Sequence, residues 1–106
     1  MIKASFFVDK DGYLRGYSIK GHSMLDESGS DILCAAVSSA AYMVANTAIE
    51  IIKADVSVSV EDGSMLFRIE SKDIFKCRDI LLGFKLHLLG LEEQYPENIK
   101  VNYTEV

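Results

Sequence analysis

Two aspartate-glycine turns set the organisation of this chain. Asp9-Lys10-Asp11-Gly12 and Glu61-Asp62-Gly63-Ser64 each lie between short stretches of alternating apolar residues, and each is followed by a long run of helical periodicity. Glycine at the end of such a turn takes positive φ without a Cβ clash, so an Asp-Gly pair between alternating runs predicts a β-hairpin. In the first, Ile2, Ala4, Phe6 and Val8 alternate with Lys3, Ser5, Phe7 and Asp9, and a return strand follows at about Tyr13 to Lys20. In the second, Val56, Val58 and Val60 alternate with Ser57 and Ser59, and Met65 to Glu70 reads as the returning strand.

The runs after the hairpins change period. Ser30 or Asp31 can cap a first helix, in which Ile32, Leu33, Ala36, Val37, Ala40, Val44, Ala48, Ile51 and Ile52 cover a wide arc before it ends near Lys53 to Asp55. So few angles are polar that cover from more than one side is expected, by the sheet and by a second subunit. Ser71 can cap a second helix, Lys72 to about Glu93, with Ile74, Cys77, Leu81, Phe84, Leu88 and Leu91 as its buried stripe. Tyr95-Pro96 ends it, and Asn98 to Thr104 reads as a last strand with Ile99, Val101 and Tyr103 on one face. The expected fold is α+β in α/β-type layers: a mixed, mostly antiparallel sheet covered by two helices, in the order β-β-α-β-β-α-β, as a single domain over 1–106.

Composition narrows the function classes. The net charge of -5 argues against nonspecific binding to nucleic acid or an anionic membrane, and favours a basic peptide or protein as partner. Phe6, Phe7 and Tyr17 lie near the first hairpin, but the basic residues that a base-stacking sheet needs are too few. Ile32 to Ile52 approaches the ~20 residues of a membrane span. Ser38, Ser39, Asn46, Thr47 and Glu50 interrupt it at several angles, so a buried helix of a soluble protein is the better expectation. Met1 to Asp9 alternates and carries no signal-peptide pattern, and with two cysteines a reducing, cytoplasmic setting is expected.

The residues able to do chemistry are few. Cys34, Cys77, His22 and His87 show no Cys-x-x-Cys or His-x-x-x-His pair, so no metal is expected. The glycines lack a phosphate-cradling fingerprint, so no cofactor is expected either. Cys77 continues the apolar stripe of its helix, where a cysteine packs as a small hydrophobe, and His87 lies among leucines as a packing or surface residue.

Cys34 is different. It is expected near the start of its helix, where free amides and the helix dipole favour a thiolate. His22 stands at the mouth of a glycine-serine loop, Gly21 to Ser30, that returns the chain to Cys34, with Gly21 and Gly29 as candidate hinges. An imidazole there can take the thiol proton and later protonate a leaving amine. Asp31 can cap the helix or orient His22. Ser38, one turn beyond Cys34, can bind substrate or bond back to the helix. Read from spacing alone, Cys34 is as well explained as a buried cysteine as it is as a nucleophile.

The motifs Gly21-His22-Ser23 and Asp31-Ile32-Leu33-Cys34-Ala35-Ala36-Val37-Ser38 together resemble the bacterial ribosomal-processing cysteine protease family, Prp, with no departure at these positions. The resemblance spans the chain in length and element order. It implies that His22 is the general base and Cys34 the nucleophile, with Gly21, Asp31 and Ser38 supporting. It further implies a cytoplasmic homodimer that removes a short N-terminal extension from a large-subunit ribosomal protein, with no direct nucleic-acid partner. Oxyanion donors are expected at the start of the first helix. The other readings open are a noncatalytic ribosome-assembly factor and a thiol-switch or acyl-transfer protein.

Overall fold

The computed structural model describes residues 1–21 and 27–106, with only the backbone described for 27–31. The elements follow the expected order: β1 (Ile2–Val8), β2 (Leu14–Gly21), α1 (Glu27–Asn46), β3 (Val56–Glu61), β4 (Ser64–Ile69), α2 (Arg78–Gln94) and β5 (Ile99–Glu105). One sheet holds all five strands in the order β3-β4-β2-β1-β5. Three neighbouring pairs are antiparallel, and β1–β5 is parallel. Both helical connections join strands that run the same way, β2 to β3 and β4 to β5. A crossover of that kind needs a dozen or more residues, which is why each hairpin is followed by a helix.

Strand alternation sorts the side chains. Ile2, Ala4 and Phe6 of β1 meet Ile19 and Tyr17 of β2 and Met65 and Phe67 of β4 on the helix-covered face, all buried. Leu33, Val37, Ala41, Val44, Ala45 and Ala48 cover that face from α1, with Leu81, Phe84 and Leu88 from α2. The Tyr17 ring stacks on Phe67 at 5.0 Å and meets the edge of Phe84 at 4.7 Å. Its hydroxyl donates to the Ala41 carbonyl at 2.7 Å, tying the middle of α1 to the centre of the sheet.

Two boundaries differ from expectation, the start of each helix, while the first helix ends at Lys53 as expected. The first helix begins at Glu27, not at Ser30 or Asp31, so Ser28, Gly29 and Ser30 lie inside it and Gly29 is no loop hinge. An acidic residue in the first turn suits the helix dipole, whereas Ser-Gly-Ser has poor helix propensity and reads locally as a cap. The helix continues as a π-helical turn, Thr47–Ile52, and closes on Lys53 in the left-handed region at φ 62°. Ser71 is no helix cap: it opens a 3-10 segment, Ser71–Cys77, and its hydroxyl pairs with the Arg15 guanidinium. The buried Asp73 staples that segment to the start of β3, accepting from the Asp55 amide at 2.8 Å and from Lys72 at 2.9 Å, with Lys76 at 3.1 Å.

The 21 residues Ile32–Ile52 are long and apolar enough to cross a membrane by length and composition. One face of this helix is nevertheless committed to the sheet, and the other carries exposed apolar residues, with Ile32 66% and Ile51 76% exposed.

Candidate active site

A cavity of about 310 Å³ opens where the helical layer stops short of the sheet edge. Over β3 the cover is incomplete, and Val58 and Val60 stay exposed although they point to the helix side. Cys34, Ser38, Ala41 and Tyr42 of α1 line one wall of this cavity. Their spacing of i, i+4, i+7 and i+8 is one stripe of a helix, so the same periodicity that seats α1 also aims these four together. Ile19 and Gly21 of β2 and the Glu61-to-Met65 turn of the second hairpin form the opposite side.

Gly21 fixes the corner. Its φ is +92°, and a Cβ there would collide with the Met1 carbonyl oxygen. Its amide donates to the Gly63 carbonyl at 2.9 Å, joining the end of β2 to the β3–β4 turn. Gly21 is thus held on both sides, an anchor at the cavity rather than a hinge. His22 follows it in the chain and lies outside the described residues, as does the loop to Asp26.

The two thiols have separate surroundings. Cys34 is part-buried and reaches the cavity, whereas Cys77 is sealed in the core. Burial, together with the nearby Asp73 charge, pushes the Cys77 thiol up, which favours an unreactive protonated form. Cys34 is the eighth residue of α1, so it stands two turns inside the helix and not among the free amides of its first turn. Asp31 likewise lies within the helix, one turn before Cys34, and is not its cap; its side chain is outside the described residues. His87 is exposed, on the outer groove between α1 and α2 that Met43 and Ile80 also line, away from Cys34. Among the described residues no group of three His, Cys, Asp or Glu is placed to hold a metal ion.

The structure therefore brings Cys34, Ser38 and Gly21 to one cavity. It adds Tyr42 and the Glu61-Asp62-Gly63 turn, which the sequence reads only as a helix residue and a hairpin turn. Tyr42 was detectable from its i+8 spacing to Cys34. The turn was not, because its place beside α1 depends on β4 being inserted between β3 and β2.

Comparison with known proteins shows the family and the fold. The family model described as cysteine protease Prp matches residues 1–100. The ribosomal processing cysteine protease Prp of Staphylococcus aureus is 30% identical over 105 residues, spanning 97% of this chain and 99% of that protein. A crystal structure of the essential S. aureus Prp with a covalently linked product peptide superposes with a TM-score of 0.88 at 27% identity, covering 98% of this chain and all of that one. A Streptococcus mutans protein superposes with a TM-score of 0.84 at 27% identity, covering 100% and 99% of the two chains. The chain belongs to the Prp family of cysteine proteases.

Proposed function

We propose that this cysteine protease removes a short N-terminal extension from a large-subunit ribosomal protein through a dyad of Cys34 and His22. The observation that carries the reading is the contrast of the thiols: Cys34 faces an open cavity with Ser38 one turn on, and Cys77 is enclosed. The S. aureus relative has been crystallised with a covalently linked product peptide, which supports peptide processing by this fold. The pairing with His22 rests on the Gly-His and Asp-Ile-x-Cys motifs.

In the proposed reaction the Cys34 thiolate attacks the scissile carbonyl carbon and the C–O π pair moves to oxygen. Collapse breaks the C–N bond, and the amine leaves with a proton from the His22 imidazolium. Water, giving its proton to the now neutral His22, then hydrolyses the thioester and releases Cys34. Because Cys34 lies two turns inside α1, the helix-start amides are poor candidates for the oxyanion, and the Ser38 hydroxyl at the cavity takes that role in this account. Glu61 and Asp62 at the cavity wall favour a substrate rich in Lys and Arg, as a ribosomal protein is.

The same reading places the enzyme in the cytoplasm, where its thiols stay reduced and ribosomal proteins are made. It also makes the enzyme a homodimer that covers the outward apolar face of the helices, where Ile32, Met43 and Leu86 are exposed. Sedimentation of a Met43→Glu variant tests the dimer: a monomer is expected, and an unchanged dimer would place the interface elsewhere. For the activity, the N-terminal mass of the ribosomal protein is measured after incubation with wild type, Cys34→Ala and His22→Ala. Loss of the extension with wild type alone is expected. Cleavage surviving either substitution rules out the dyad, and binding without cleavage favours an assembly factor.

A further inference from the structure

The register of the sheet brings together three charges that are distant in the chain. Lys3 stands opposite Lys20 across the antiparallel β1–β2 pair and opposite Lys100 across the parallel β1–β5 pair. With strands about 4.8 Å apart, the three lysines run side by side over roughly 10 Å, at one end of the face turned away from the helices. All three are exposed, and among the described residues none pairs with a carboxylate. Like charges directly opposite one another destabilise a sheet; among the described residues the one carboxylate lining this groove is Glu61, on the same row but two strands from Lys20.

The next rows supply hydrogen-bonding groups. Ser5 is flanked by Ser18 and Asn102, and further along the same face the Arg68 guanidinium sits 4.6 Å above the Phe7 ring. Lys3, Lys20, Ser5, Ser18 and Arg68 line a shared groove of about 520 Å³.

We propose that this groove binds the sugar-phosphate backbone of single-stranded RNA. Lysine, arginine, serine and asparagine are the side chains that contact phosphates and sugars, and here they form adjoining rows on one surface. Phe7 is covered by Arg68, which leaves no bare aromatic platform there, so recognition is of the backbone and tolerates any sequence. The serine and asparagine row can both donate to and accept from a ribose 2′-hydroxyl, which favours RNA over an acidic protein segment. The net charge of -5 predicted no nucleic-acid partner; it describes the molecule as a whole, and the local field on this face has the opposite sign. The groove lies across the sheet from the Cys34 cavity, with Glu61 and Ser64 bordering both, so RNA and a peptide can be held together. The inference is independent of the proposed protease substrate.

The test is fluorescence anisotropy of a labelled, mixed-sequence single-stranded RNA over a salt series. Three phosphates at about 0.7 each give an expected slope of log K against log salt of about -2. The combined Lys3→Gln, Lys20→Gln, Lys100→Gln variant should bind at least about tenfold more weakly at low salt with a slope near zero. Lys10→Gln, in the β1–β2 turn, should bind as wild type. The triple variant loses repulsion rather than packing, so it should melt no lower than wild type. No binding at low salt, or unchanged binding by the triple variant, would overturn the proposal. So would equal binding of a DNA strand of the same sequence, or displacement of RNA by polyglutamate at equal charge, which would assign the groove to an acidic protein.

Discussion

Replacing Gly21 by alanine probes the corner on which the active site is built. Two costs are superimposed there. A residue with a Cβ at φ +92° pays about 1–2 kcal/mol for the left-handed region. The new methyl group also meets the Met1 carbonyl oxygen, and parting β1 from the end of β2 to relieve an overpacked contact costs about 1–3 kcal/mol. Gly12 provides the control, because at φ +86° it has nothing within 4 Å of its would-be Cβ and so carries only the first cost. In a chain of this size each kcal/mol lowers Tm by about 4–8 °C. Gly12→Ala should therefore melt roughly 4–16 °C below wild type, and Gly21→Ala lower still by at least ~4 °C. Urea unfolding at constant m checks that both are changes of stability. Because the Gly21 amide also holds Gly63 at the cavity, peptidase activity well below Tm should fall in Gly21→Ala and not in Gly12→Ala. Equal melting of the two variants would refute the claim that Gly21 is held against Met1.

The remaining predictions concern the supports of the site. The Asp55 backbone amide and the lysines beside Asp73 hold its carboxyl well below the usual value of 3.8, so its stabilisation is present at neutral pH and lost as pH falls below about 4. Asp73→Asn should accordingly melt below wild type at pH 7, with the gap closing in acid, as followed by circular dichroism. Burial pushes the Tyr17 phenol above its usual 10.0, so the fold favours the protonated form and loses stability as pH rises past 10. Tyr17→Phe should lose about 1 kcal/mol at pH 7 through the missing bond to Ala41, yet flatten the alkaline limb of urea-measured stability. Lys53 closes the first helix with left-handed geometry, so Lys53→Gly should gain about 1 kcal/mol in the same assay.

Element order was legible because it is written locally, in Asp-Gly turns and in periods that change from two to 3.6. The stripe from Ile74 to Leu88 was legible for the same reason and is buried as expected, while Leu91 is part-buried. Misreadings fell where local chemistry pointed one way and tertiary contacts another. Ser30, Asp31 and Ser71 are good caps by type, but Glu27 begins the first helix, and Asp73 organises the segment that Ser71 opens. Of the site, Cys34, Ser38 and Gly21 were legible as motif residues. The Glu61-Asp62 wall and the lysine ladder were not, since both depend on which strands are neighbours, and residues as distant as Lys3 and Lys100 carry no local sign of that. His22 lies outside the described residues, so its place in the dyad rests on the motif.

The central claim is that catalysis passes through Cys34. It is tested most directly by titrating the folded enzyme with iodoacetamide and reading residual peptidase activity against site-resolved mass. Activity should fall in proportion to Cys34 carbamidomethylation while Cys77, sealed in the core, stays unlabelled until the protein unfolds. Full activity from a protein completely modified at Cys34 would contradict the account.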